Sequence, residues 1–353
     1  MAKFKKNENI IVGKGLLKKI NKLFNFGGYS QIFIICDIRV KKLFLKKLNP
    51  LLKNYRTTLI ALPSGERIKS FEGIKSTYRS LIENKADRQS LIVNFGGGTI
   101  SDVGGFIAST FMRGIDFINI PTTFLAQVDA AIGGKNGINF SGIKNVIGTF
   151  YQPKLVINDI DLFKSLSKKE FLSGLAEVIK YGLIMDKKLF EFLERKKSLK
   201  FSDKELIFLV RRCTFNKMKI VRADEKDTRG VRTILNFGHT LGHAIESVGG
   251  LKKFTHGEAI SLGMVFAAKL SRRLKMLSQN NLFRIMALFK KFSLPINCRL
   301  NKNKILSTME YDKKISSGKI NWVLFKKIGR ANSNQKAPQS LLSKTFSEFF
   351  GEI

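Results

Sequence analysis

Cysteine and histidine are both scarce in this chain of 353 residues, at three copies each. Cys36, Cys213 and Cys298 are odd in number and follow no framework spacing, which excludes a disulfide scaffold and fits reduced thiols in a cytoplasm. None lies near the histidines, so a zinc–thiolate site is excluded as well. Long apolar runs are also missing. No stretch reaches the roughly 18 residues that a bilayer span requires, so no membrane partner is expected. The opening residues are basic but lead into no apolar segment, which argues against a secretory signal. Acidic residues are in short supply too: 27 Asp and Glu stand against 63 Lys and Arg, a net charge of +36. Such an excess suits either nucleic-acid binding or a lysine-rich proteome in which Lys, Ile, Asn and Phe all abound. The lysines run the whole length without a recognition motif, so no nucleic-acid partner is expected. The positive field would instead concentrate an anionic, phosphorylated substrate.

Hydrophobic residues make up 44% of the chain, enough at this length for two domains, each with a core. The first half alternates short apolar runs with amphipathic stretches, the pattern of a parallel sheet covered by helices. Strands are predicted at residues 31–37, 57–63, 90–95, 116–121 and 155–160. Beyond residue 171 helical periodicity takes over, at 172–182, 203–221, 235–248, 257–274 and 280–292. The division that follows is an α/β domain over residues 1–166 and an all-α domain over 167–353. Residues 329–338 are polar and read as a loop.

The chemistry-bearing residues cluster. All three histidines lie between positions 239 and 256: His239-Thr-Leu-Gly-His243, then His256-Gly-Glu-Ala, with Glu177 upstream in Gly-Leu-Ala-Glu-Val-Ile-Lys-Tyr-Gly. On a helix His239 and His243 share a face one turn apart, the geometry of a metal clamp, with His256 or Glu177 as a third ligand. Core histidines packed beside Gly238 and Gly242 are the competing reading. Three nitrogen and carboxylate ligands leave a position open for substrate, as in catalytic metal sites. Lys180, Lys217, Arg232 and Asn236 add the cations and amide that an acidic, polyhydroxylated substrate needs. In the first half, Gly96-Gly97-Gly98-Thr99-Ile100-Ser101-Asp102 follows a predicted strand and opens a helix. It serves either as a pyrophosphate-binding loop or as a plain tight turn. Pro121-Thr122-Thr123, Asp129, Gly133-Gly134-Lys135 and Lys144-Asn145 form either an anion site or a lysine-rich surface loop.

Taken together these motifs resemble the 3-dehydroquinate synthase family. The likeness rests on Asn94-Phe95-Gly96-Gly97-Gly98 through Asp102, Arg113-Gly114, Pro121-Thr122-Thr123, Gln127-Val128-Asp129, Gly133-Gly134-Lys135, Lys144-Asn145 with Ile147-Gly148, Gly174-Leu175-Ala176-Glu177 with Lys180-Tyr181-Gly182, Leu235-Asn236-Phe237-Gly238-His239-Thr240 and His256-Gly257-Glu258-Ala259. They run in order from about residue 60 to 270, with a fainter echo at Asp312-Lys313-Lys314. The resemblance implies a dehydroquinate synthase-like fold: a Rossmann-like α/β N-terminal domain, an all-α C-terminal domain, and a cleft between them. It implies NAD and a zinc or cobalt ion as cofactors, a heptulosonate phosphate as substrate, a homodimer and a cytoplasmic location.

Site roles follow residue by residue from the same resemblance. Glu177, His239 and His256 are the implied metal ligands. His243 becomes a polar contact to substrate, against the helical-pair reading. NAD contacts carry onto Asp37, Glu66, Lys69, Gly97, Gly98, Asp102, Thr122, Thr123 and Lys144. Substrate contacts carry onto Asp129, Lys135, Asn145, Lys180, Lys217, Arg232, Asn236, His243 and one of Lys313 and Lys314. Arg113 would reach the phosphate site of a partner subunit. The implied reaction oxidises the sugar transiently with NAD, eliminates phosphate, reduces the ketone again and closes the ring by an aldol step. Three departures stand out: Ser101 in place of a glycine, Asn136-Gly137 after Gly-Gly-Lys, and one extra residue between Asp224 and Arg232.

Overall fold

The computed structural model describes residues 9–315 and 321–351, apart from the side chains of 250–252 and 310–315. Two compact units emerge: residues 1–167 with 202–218, and residues 168–201 with 219–353. The stretch 202–218 takes in most of the helix Asp203–Ala223, which the sequence reading counts with the helical half.

The first unit is built on six parallel strands: β1 (Ile10–Gly13), β2 (Ile32–Asp37), β3 (Thr57–Leu62), β4 (Leu91–Gly96), β5 (Asp116–Pro121) and β8 (Leu155–Asp159). Their order is β1-β8-β5-β4-β2-β3. In β2 the residues Ile32, Ile34 and Cys36 enter one core cluster, while Phe33 and Ile35 enter the other. Successive side chains of a strand point to opposite faces. A strand covered on both faces therefore reads as an unbroken apolar run. The chain leaves β2 toward β3 on one side, then crosses back to β4 on the other. The order thus reverses between β2 and β4, and ligands of open parallel sheets bind outside the carboxyl ends of strands at such a point. Asp37 ends β2 and Gly96 ends β4, so the glycine run sits at this position.

Between β5 and β8 an antiparallel hairpin is inserted, β6 (Lys135–Phe140) and β7 (Ile143–Phe150). Phe140 pairs with Ile143, leaving the two-residue turn Ser141-Gly142 with φ of 49° and 80°. Positive φ at both central residues is what a type I′ turn needs. The sequence treats this segment as loop because it carries Lys, Asn and Gly in place of a clean alternation.

The second unit is mainly helical. Its helices include Lys168–Ile184, Lys187–Arg195, His239–Lys253, His256–Arg273, Gln279–Lys291, Lys302–Ile315 and Gln339–Phe350. The all-α expectation needs one correction. A two-stranded antiparallel hairpin, β9 (Trp322–Lys327) and β10 (Arg330–Gln335), lies within this unit. Residues 330–335 are therefore strand where a loop is predicted. Pairing with β9 overrides their polar composition, and β9 is itself held down: Phe325 donates its N–H to Ser271 Oγ on the His256–Arg273 helix at 3.0 Å, and the Trp322 ring lies tilted against Phe266 with ring centres 5.3 Å apart. No helix among the described residues is long and apolar enough to cross a membrane.

Candidate active site

Three helices of the second unit deliver one ligand group each. Glu177 lies mid-way along the Lys168–Ile184 helix, His239 is the first residue of His239–Lys253, and His256 is the first of His256–Arg273. The last start is set by a capping box. Thr255 Oγ1 accepts from the Glu258 N–H at 3.3 Å, and Glu258 Oε2 accepts from the Thr255 N–H at 2.8 Å. Close backbone approach then draws the helices together. A Cβ on Gly263 would stand 1.9 Å from the Gly238 carbonyl oxygen, and one on Gly257 would stand 2.3 Å from Ser173 Cα. Gly257 also donates its N–H to Ser173 Oγ at 2.9 Å, tying the His256 helix to the one carrying Glu177.

The result is a group in which one atom each of Glu177, His239 and His256 lies within 4.8 Å of the others. His239 Nε2 is 3.4 Å and His256 Nε2 3.2 Å from the same oxygen, Glu177 Oε1. The far nitrogen of each ring is held as well. His239 Nδ1 lies 3.1 Å from the Phe237 carbonyl oxygen, and His256 Nδ1 lies 3.4 Å from Glu246 Oε1. An acceptor on Nδ1 leaves Nε2 to face the centre, the arrangement of metal-bound imidazoles. Burial, reinforced by the Lys180 ammonium, pushes His239 down to about 3, so the ring is neutral and able to coordinate. Burial opposes charge on His256 too, but the carboxylates of Glu177 and Glu246 outweigh it and raise the ring to about 9; a divalent cation would displace that proton. One carboxylate with two imidazoles is a donor set that suits zinc or cobalt. The helical His239–His243 clamp is not what converges. The rings lie edge to face 5.3 Å apart, and His243 stands exposed beside the group.

Further expected residues lie in this unit, Lys180 directly against the triad. Lys180 is buried, with Nζ 2.5 Å from Glu177 Oε2. Arg232 is buried and donates from Nη1 to the Glu225 carbonyl oxygen at 2.8 Å, while Asn236, at the end of the same 3-10 turn, is exposed. Sequence reasoning missed two carboxylates here. Glu246 follows His239 by seven positions on one helix face, a spacing that would have revealed it. Buried Asp224 accepts N–H bonds from Thr228, Arg229 and Val231, and so folds the longer loop leading to Arg232. The side chains of Lys313 and Lys314 lie outside the described residues.

In the first unit the glycine run caps the helix Gly98–Thr110, with Gly97 at the N-cap. The opening N–H groups of a helix lack partners within it and suit a phosphate. A Cβ would crowd Ala130 from Gly98 at 3.0 Å and Thr123 from Gly97 at 3.2 Å, so the loop is shaped for close approach. Thr122 is fixed by donating its N–H to the Gly96 carbonyl, and Asp37 caps the helix Ile38–Phe44. Lys69, only 4% exposed, bonds Asp102 Oδ2 at 2.7 Å and Asn145 Oδ1, and lies 3.7 Å from Glu66 Oε1. Burial opposes its charge, but Asp102 and Glu66 together raise its pKa. Lys217 donates to the Asp129 carbonyl oxygen at 2.8 Å and to its carboxylate. Lys135 and Lys144 stand exposed on the hairpin, as does Arg113 after a turn in which Met112 and Arg113 both have positive φ.

This fold matches known proteins closely. The fold is shared with 2-deoxy-scyllo-inosose synthase, solved with carbaglucose-6-phosphate, NAD+ and Co2+ (TM-score 0.89, 24% identity, 96% of each chain). The 2-epi-5-epi-valiolone synthase of Streptomyces hygroscopicus, solved with NAD+ and Zn2+, is similar too (0.88, 22%, 100% of this chain and 99% of that one). A probable glycerol dehydrogenase from Sinorhizobium meliloti gives a weaker likeness (0.63, 12%, 97% and 96%). The fold is therefore one that synthases and a dehydrogenase have in common. Within it, residues 59–173 match the model of the 3-dehydroquinate synthase N-terminal region and residues 174–315 that of its C-terminal region. The 3-dehydroquinate synthases of Thermodesulfovibrio yellowstonii and Nitrosomonas europaea are 42% and 40% identical, over 96% of this chain and 96% and 93% of their own. The chain belongs to the 3-dehydroquinate synthase family.

Proposed function

We propose that this chain converts 3-deoxy-D-arabino-heptulosonate 7-phosphate to 3-dehydroquinate and phosphate. It would act as a phosphate-eliminating lyase of the shikimate route to aromatic amino acids, as a cytoplasmic homodimer. The observation that carries the reading is the meeting of Glu177, His239 and His256 Nε2 with both Nδ1 atoms held from behind, in a chain of this family. NAD and a zinc or cobalt ion would supply reversible hydride uptake and an acidified hydroxyl.

The chain's own residues do the rest. Glu177, His239 and His256 would hold the ion. Gly97 and Gly98 at their helix N-terminus, with Thr122, Thr123, Asp37, Glu66, Lys69, Asp102 and Lys144, would hold the dinucleotide. Lys180, Lys217, Arg232, Lys135 and the partner subunit's Arg113 would neutralise the carboxylate and phosphate of the substrate. Asp129, Asn145, Asn236 and His243 would fix its hydroxyls. Cations outnumber general bases in this set, which suits a reaction that depends on holding one conformer of a doubly anionic sugar.

Incubation with NAD, zinc and the heptulosonate phosphate tests the proposal. Inorganic phosphate is expected to appear without lasting near-ultraviolet absorbance from NADH. A dehydrogenase, the reading that the glycerol dehydrogenase likeness would favour, gives the opposite pattern: NADH accumulates and phosphate stays bound in the substrate. That pattern would overturn the assignment.

A further inference from the structure

Every functional role so far falls on residues that touch a cofactor or substrate, yet the second imidazole of the triad is held by a carboxylate with no such role. Glu246 sits two turns into the His239–Lys253 helix and is 6% exposed. Its Oε1 lies 3.4 Å from Nδ1 of His256, on the side of the ring away from Glu177. His256 is the more exposed of the two imidazoles, at 28% against 12% for His239. The two rings are also held unequally. His239 has a main-chain carbonyl behind it, which cannot move without the helix start. His256 has a side chain behind it, that of Glu246.

We infer that Glu246 is a positioning residue for the metal: it fixes the orientation and tautomer of His256 and so sets how tightly the Glu177–His239–His256 group binds a divalent cation. An acceptor behind a coordinating imidazole keeps the proton on Nδ1 and increases the donor strength of Nε2. Because Glu246 and His239 share one helix, that helix supplies one ligand directly and orients another on its neighbour. This inference rests on the metal-binding reading of the triad.

Zinc titration of the full-length apoprotein against a chromogenic chelator tests it without any turnover. E246A is expected to weaken zinc binding by about 10- to 100-fold. E246Q, whose amide oxygen still accepts the Nδ1 proton, should recover part of that loss. The midpoint of apoprotein unfolding in urea is read in parallel. A merely structural role for Glu246 would shift that midpoint in E246A and leave zinc affinity at the parent value, which would overturn the inference. Should E246A not fold, E246Q decides through the rate of zinc release to excess chelator: faster than the parent supports the role, and an equal rate refutes it. H239A separates the triad from its support. If H239A binds zinc as the parent does, the triad itself is not the metal site. If H239A loses zinc while E246A and E246Q keep it, the fault lies with Glu246 alone.

Discussion

A carboxylate removed from water must be neutralised or bound to something cationic, and Glu177 is fully buried. Lys180 supplies one positive charge at 2.5 Å, and two imidazoles meet the other oxygen. A dication held by that oxygen and the two imidazoles, in place of the His256 proton, would account for four ionisable groups being gathered in one place. Replacing Glu177, His239 or His256 by alanine is therefore expected to abolish bound metal and phosphate release together, as metal analysis of the purified variants and a phosphate assay would show. His243→Ala should keep the metal and slow turnover by roughly 100-fold, the size of a lost proton-transfer or positioning contact. Equal metal loss in the His243 variant would contradict the geometry. At this scale the sequence was partly misleading. Two histidines four apart suggest a pair on one helix, because local spacing is all that a sequence displays. The true grouping spans three helices and depends on where glycines let backbones touch.

Those glycine contacts belong to the scale of whole elements. Gly238, at φ 79°, is the N-cap of the His239 helix and abuts Gly263 on the His256 helix. In Gly263→Ala the new methyl would meet a main-chain oxygen at 1.9 Å, so a helix must move. The expected cost is about 3 kcal/mol in urea unfolding, with weaker zinc binding because His239 shifts as well. Gly28, which has nothing within 4 Å, should tolerate alanine to within about 0.5 kcal/mol. A second tie joins the helices Lys187–Arg195 and Gln279–Lys291: both nitrogens of the Arg284 fork reach Glu194 at 2.8 Å, and this hydrogen bonding holds Glu194 below the usual carboxylate value of 4.5. A folded-state value that is depressed stabilises above the unfolded value and is lost as pH falls through the folded one. Glu194→Gln should thus cost about 1 kcal/mol near neutrality, modest because the pair is a third exposed, and the gap to the parent should close below pH 4.5. A gap independent of pH would show that packing of Arg284 on Phe190, not charge, makes the tie. The same division between local and tertiary causes explains which elements were legible. β2 and β4 are buried on both faces and announce themselves as apolar runs. β10, Arg-Ala-Asn-Ser-Asn-Gln, has no such pattern and is a strand only because β9, itself seated on the His256 helix, offers it a partner. The hairpin β6–β7 hides its strands behind the lysines and asparagines of the proposed site.

At the scale of the whole molecule the dominant quantity is the charge of +36. Two origins fit it, a lysine-rich composition without consequence or a field that draws in anions, and they differ in what salt should do. The proposed substrate carries a carboxylate and a phosphate, and the proposed cofactor a pyrophosphate, so a real field would accelerate their encounter with the protein. The pairs that matter inside the sites are poorly screened, Lys180 with Glu177 being buried and Lys69 with Asp102 largely so, whereas Lys135, Lys144 and Arg113 are exposed. Raising ionic strength from about 0.01 M to about 0.15 M shortens the screening length from ~30 Å to ~8 Å. Steering then predicts that kcat/KM for the heptulosonate phosphate falls by about 10-fold while kcat holds, since the bound complex is insulated from the salt. Stopped-flow or initial-rate measurements with an inert salt would read both constants. If kcat/KM does not respond, the lysines reflect composition alone, and the cations that serve this protein are only the few that line its sites.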